Sequence, residues 1–207
     1  MVHLEERIPT MLKKRFVLGV ALSGVVVISL LLIAAISPQA NNGKHCYAML
    51  SPVDPDSNGS SQILESGCYD TFSESIRAAT KGRVNLDQSV LPKDVTDSIL
   101  NQGGTSSLLA PDTLTVIGID YKDASFGGDS YAWTTSYSGC SDTISFGVST
   151  MPSGWDNVVS SARAFANCNH YYHWENTSYS GANLDCGSSC SSMGVMNNQT
   201  SSEQWHQ

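Results

Sequence analysis

Two six-residue stretches, Asp156-Asn157-Val158-Val159-Ser160-Ser161 and Asn197-Asn198-Gln199-Thr200-Ser201-Ser202, share one pattern: two acid or amide residues, two variable positions, then two hydroxyls. Each concentrates hard oxygen donors on a short piece of chain. Carboxylates, side-chain amides and backbone carbonyls are the ligands of Ca2+, which takes about 6–8 oxygens. The duplication therefore points to a calcium-binding module.

A second constellation, His170-Tyr171-Tyr172-His173-Trp174-Glu175, offers imidazoles and a carboxylate for metal or acid-base chemistry. Strand alternation places His173 and Glu175 on one face and His170 on the other. No third nitrogen or thiolate remains once the cysteines are paired. The chain also lacks a Gly-x-Ser-x-Gly elbow and a phosphate-cradling glycine loop, so no enzyme is expected.

The elements that position the hexads repeat as well. Tyr121-Lys122-Asp123-Ala124-Ser125-Phe126-Gly127-Gly128 aligns without gaps to Trp174-Glu175-Asn176-Thr177-Ser178-Tyr179-Ser180-Gly181. An aromatic ahead of a tight turn folds over it, and the distant glycine supplies a conformation other residues resist. Each of these hairpins precedes its own hexad. Around them, from about residue 110, short Val, Ile, Thr, Tyr, Phe and Trp runs are punctuated by Gly, Ser and Asn, the texture of antiparallel strands. Duplicated supersecondary units of this kind pair to bury a shared core.

This combination, aromatic-x4-aromatic-x-Gly followed by the acid/amide and Ser/Thr hexad, resembles the microbial βγ-crystallin motif over residues 114–206. The resemblance implies an all-β, two-sheet Greek-key sandwich with up to two Ca2+ ions shared between its motifs. It implies that Asp156, the Val158 carbonyl and Ser160 form one site, with Asn157 in the same hexad and a backbone carbonyl near Glu175. For the other site it implies Asn197, the Gln199 carbonyl and Ser201, with Asn198 beside them and a carbonyl near Lys122. The second hexad carries no carboxylate, and Lys122 stands where Glu is often found, so this site is expected to be the weaker. The streptomycete metalloproteinase inhibitor is similar in having a short disulfide loop, which makes an extracellular protease the alternative partner. Candidate contact loops are Ser136–Ser141 and Cys186–Cys190.

Lys13-Lys14-Arg15 followed by an uncharged run from Phe16 to Ile36 marks residues 1–40 as a signal peptide or uncleaved transmembrane anchor. The positive-inside rule exports the remainder of the chain, so the protein is expected to be secreted or to touch the membrane only through this segment. All six cysteines lie beyond it, and an even number in an exported chain argues for disulfides. Sequence order favours Cys46 with Cys68, Cys140 with Cys168, and Cys186 with Cys190 among about 15 connectivities.

The whole chain carries a net charge of -8. Without residues 1–40, 7 basic and 17 acidic residues remain, a surface unsuited to nucleic acid. Residues 41–110 form a turn-rich, disulfide-closed region with short strands at most, a helix over Thr71–Thr80 stopped by Gly82, a helical turn near Leu91–Val95 and a linker over Asn101–Ser107. A boundary near residue 110 sets this region apart from the β domain, 111–207.

Overall fold

A computed structural model describes residues 44–101 and 114–207. The apolar run Phe16–Ile36 lies outside the described residues, as do residues 102–107 of the linker; among the described residues no helix is long and apolar enough to cross a membrane.

The duplicated region folds as eight strands: β3 (Thr115–Asp123), β4 (Gly127–Thr135), β5 (Phe146–Val148), β6 (Ser161–Ala164), β7 (His170–Asn176), β8 (Ser180–Asp185), β9 (Ser189–Cys190) and β10 (Ser202–His206). They are preceded by β1 (His45–Leu50) and β2 (Ile63–Tyr69). One sheet runs β2-β1-β4-β3-β6-β9 and the other β5-β10-β7-β8. In each half the first, second and fourth strands stay together, while the third crosses to the sheet of the other half. β5 pairs with β10 and β9 with β6, both antiparallel. This exchange means that neither motif completes a sheet alone.

The space between the sheets is filled by Trp133, Trp205, Tyr171, Phe146, Met193 and Met196, all essentially inaccessible. Aromatic contacts organise it: the Trp205 ring centre lies 5.4 Å from Trp133 and 4.7 Å from Tyr171. Each side chain of this size stabilises the fold by about 1.5–3 kcal/mol on burial.

Residues 45–101 share this architecture instead of standing apart. β1 lies parallel to β4 and antiparallel to β2, with Cys46 directly opposite Cys68 and bridged to it. Its sequence Cys46-Tyr47-Ala48-Met49-Leu50 lines two cores: Cys46, Ala48 and Leu50 face the space between the sheets, and Tyr47 faces a helix. A strand buried on both faces shows no polar alternation, and the Pro, Ser and Asp residues after it disguise it further.

The helix, α1 (Phe72–Ala79), starts where the sequence places it. The Thr71 hydroxyl accepts from the Glu74 amide at 3.3 Å and donates to the Glu74 carboxylate at 2.8 Å, a capping arrangement that satisfies an orphan amide. Phe72, Ile76 and Ala79 pack against Tyr47, Val116, Ile119 and Ala132 on the outer face of the first sheet. A helical turn at Pro92–Asp94 precedes α2 (Asp97–Asn101), whose Asn101 side chain exchanges two 3.0 Å hydrogen bonds with the Val116 backbone. Asp97 accepts from the Ala166 amide at 2.7 Å. All described residues belong to one compact unit, 40–207.

The other bridges are Cys140–Cys168 and Cys186–Cys190, so all six cysteines pair with their sequence-order partners and no described thiol is free. Such a set suits an oxidising, extracellular environment.

Candidate functional site

The two hexads lead into β6 and β10, the fourth strands of their motifs, and meet each other. The Asn157 amide donates to the Thr200 carbonyl at 2.9 Å, and the Asn198 amide donates to the Val159 carbonyl at 2.9 Å. The Ser160 hydroxyl donates to the Asn198 side-chain oxygen at 3.0 Å; Ser201 reaches the Asn157 side-chain oxygen at 3.5 Å. Asn157 and Asn198 both adopt left-handed backbone, φ 58° and 57°, which Asn tolerates better than most residues. Oxygen donors of the two halves are thus juxtaposed by one pattern repeated about a pseudo-twofold axis. The fifth-position hydroxyl of one hexad meets the second-position amide of the other, a crossing that sequence spacing does not reveal.

The sixth-position hydroxyls do something else. Ser161 donates to the Asp123 carbonyl at 2.6 Å and accepts from the Phe126 amide at 2.9 Å; Ser202 donates to the Asn176 carbonyl at 2.7 Å and accepts from the Tyr179 amide at 3.0 Å. Each therefore pins the folded hairpin of its own motif, where consecutive residues (Ser125 and Phe126, Ser178 and Tyr179) hold positive φ and Gly128 and Gly181 follow at φ 74° and 82°. Ser161→Ala or Ser202→Ala leaves the half-buried Phe126 or Tyr179 amide without its partner. Each is expected to lower stability by about 1–3 kcal/mol, measurable as a shifted urea midpoint.

Asp156 is exposed and accepts from the Asn157 side-chain amide at 3.0 Å; Asn197 and Gln199 are exposed in the second loop, and Val158 is half-buried. The Glu175 carboxylate turns back to the Ala182 amide of its own hairpin at 3.1 Å. The Lys122 side chain stays within its own motif: its ammonium lies 3.4 Å from Asp129 and 5.1 Å from the centre of the ring of Trp155. The donor set of carbonyl, amide, hydroxyl and one carboxylate oxygens fits Ca2+ chemistry.

A second cluster lies between the sheets. Asp120 on β3, His173 on β7 and Glu203 on β10 are fully buried, with one ligand-type atom from each within 4.8 Å of the others. Tyr171 donates its hydroxyl to Asp120 at 2.6 Å and contacts Glu203 at 3.0 Å; the Trp133 indole donates to Asp120 at 2.7 Å. His173 stands directly opposite Glu203 in the strand register, with Nδ1 3.0 Å from Oε1 but without hydrogen-bond alignment. Strand alternation correctly separates His173, inward, from His170, exposed. Glu175 does not share the inward face, because the pairing register shifts between Trp174 and Asn176. The partners of His173 come instead from two other strands, so no spacing within the His170–Glu175 segment reveals them. The available signal is a carboxylate at a buried strand position, Asp120 in β3 and Glu203 in β10.

Burial pushes Glu203 up to about 8, while burial and then the neighbouring Glu203 charge hold Asp120 well above the usual carboxylate range. Burial also holds His173 down at about 4. The raised Glu203 contributes stability that is present below the unfolded carboxylate range and lost as pH rises through about 8. The lowered His173 contributes stability that is lost as pH falls from about 6.5 through about 4. Asp120 acts in the same direction as Glu203, so melting measured in chelator should fall from mild acid to pH 9.

The fold and the paired loops define a two-motif Greek-key β-sandwich. Three solved structures are similar to its β region: a βγ-crystallin from an archaeon, at 20% identity over 44% of this chain and 96% of that one with a TM-score of 0.33; a structure from work on the evolution of the eye lens βγ-crystallin domain fold, at 21% over 42% and 81% with 0.33; and a βγ-crystallin from Ciona intestinalis, at 18% over 44% and 98% with 0.32. The exchange of β5 and β9 between the two sheets carries the Greek-key assignment. No family model and no curated protein matches the chain.

Proposed function

We propose that this protein is an exported Ca2+-binding module of βγ-crystallin type, stabilised by the metal and by its disulfides. The observation that supports the reading is the repeated crossing of hydroxyl and amide oxygens between the two hexads. One site takes Asp156, the Val158 carbonyl and Ser160 with a carbonyl near Glu175; the other takes Asn197, the Gln199 carbonyl and Ser201 with a carbonyl near Lys122. Asn157 and Asn198 contribute across the axis. The first site is the stronger, because it alone holds a carboxylate.

An ion that binds only the folded chain at 100 times its dissociation constant adds about 2.7 kcal/mol. Calorimetric titration of the full chain with Ca2+ is expected to show heat and a raised melting temperature. Asp156→Ala, at an exposed position, should weaken binding more than Asn197→Ala. The absence of both heat and a melting shift at millimolar Ca2+ defeats the reading.

Protease inhibition is a second reading, supported by the turn between Cys186 and Cys190, which a disulfide closes while Ser188 and Ser189 stay exposed. Unimpeded activity of a thermolysin-like protease at equimolar protein removes it.

A further inference from the structure

We propose that Asp120, His173 and Glu203 form an enclosed site for a divalent transition-metal ion of the zinc class, separate from the hexads and independent of the calcium reading. The three side chains come from three strands and both sheets, so only the closed sandwich assembles them. Neither ring nitrogen of His173 has a hydrogen-bond partner, nor does Glu203 Oε1, although all are inaccessible to solvent. Buried polar atoms are ordinarily paired, and these lie side by side.

Charge points to the class of ligand. A divalent ion takes the place of the carboxyl protons and balances both carboxylates of the set at one point. Tyr171 has one hydroxyl hydrogen for the two carboxyl groups it faces, at 2.6 and 3.0 Å. An imidazole in the set selects against Ca2+, which prefers a shell of oxygens, and for Zn2+ or a related ion. Ligand atoms bound about 2.1 Å from a tetrahedral centre stand roughly 3.4 Å apart, so the observed cluster needs only a modest contraction. The orienting groups are already in place: the Trp133 indole and the Tyr171 hydroxyl hold the two oxygens of Asp120, as outer-shell donors do in metal centres. Because the site is closed, the ion enters during folding.

The full chain, disulfides left oxidised, is unfolded in denaturant with chelator and refolded either with Zn2+ or with chelator. After gel filtration, elemental mass spectrometry is expected to find one zinc per chain in the first sample, with a higher melting temperature than in the second. Co2+ in place of Zn2+ should give visible absorption typical of a nitrogen-oxygen shell. Asp156→Ala should keep the zinc; Asp120→Asn with Glu203→Gln should lose it, and Tyr171→Phe should lower affinity about 10- to 100-fold. Zinc-free wild-type protein after refolding in Zn2+ overturns the proposal, and so does undiminished zinc in a folded double variant. If that variant does not fold, the wild-type arm decides alone.

Discussion

Trp205→Ala is expected to remove about 3–5 kcal/mol of stability, the range for deleting a large buried aromatic. Trp205 is wholly inaccessible and stacks on Tyr171 while leaning on Trp133 across the sheets. Its indole also explains a glycine: a Cβ on Gly118 would come within 2.5 Å of Trp205 Nε1. The bare backbone of β3 is thus shaped to this ring. β10 pairs with β5, the strand donated by the other half, and Trp205 faces Phe146 in that register. The loss should therefore loosen both motifs at once and shift a single cooperative urea transition. Val195→Ala, at an 88% exposed position, should change little and serves as the control. A Trp205→Ala loss below about 1 kcal/mol would contradict the assignment of this ring as the inter-sheet anchor.

The range of an interaction decides whether the sequence discloses it. The hairpins are legible because their constraint is local: Gly128 and Gly181 take positive φ within a few residues of Tyr121 and Trp174. The start of α1 is legible for the same reason, since Thr71 and Glu74 cap it within one turn. β1 is not, because a strand buried between a helix and a second sheet loses the alternation that marks strands. The hexads are visible as oxygen-rich loops, but their roles are only half visible. Ser160 and Ser161 look equivalent in sequence, yet one faces the opposite loop and the other locks its own hairpin. Asp120 and Glu203 carry the weakest signal, each a carboxylate at an otherwise buried strand position, and their meeting with His173 depends on a register that only the folded sheets set.

Gly139→Ala should be nearly as damaging as loss of Trp205, although it adds only one methyl group. Gly139 holds φ 117°, a region closed to residues with a Cβ, and an added Cβ would lie 2.0 Å from the Ala166 carbonyl oxygen. That oxygen is the acceptor for the Cys140 amide at 3.0 Å, and Cys140 is bridged to Cys168 two residues beyond Ala166. The close approach of the two backbones and the cross-link thus form one joint. A methyl group there cannot be relieved by turning a side chain, because the obstacle is backbone. Forcing the conformation costs about 1–3 kcal/mol, and moving the segment instead breaks the hydrogen bond and leaves a buried amide unpaired, a further 1–3 kcal/mol or so. A total loss of roughly 3 kcal/mol is expected, read as a lower urea midpoint. The same change tests the loop Ser136–Ser141 as a protease contact: a loop that depends on this joint for its shape should lose inhibition along with stability, whereas a contact made by the Cys186–Cys190 turn should keep its inhibition under conditions where the variant remains folded.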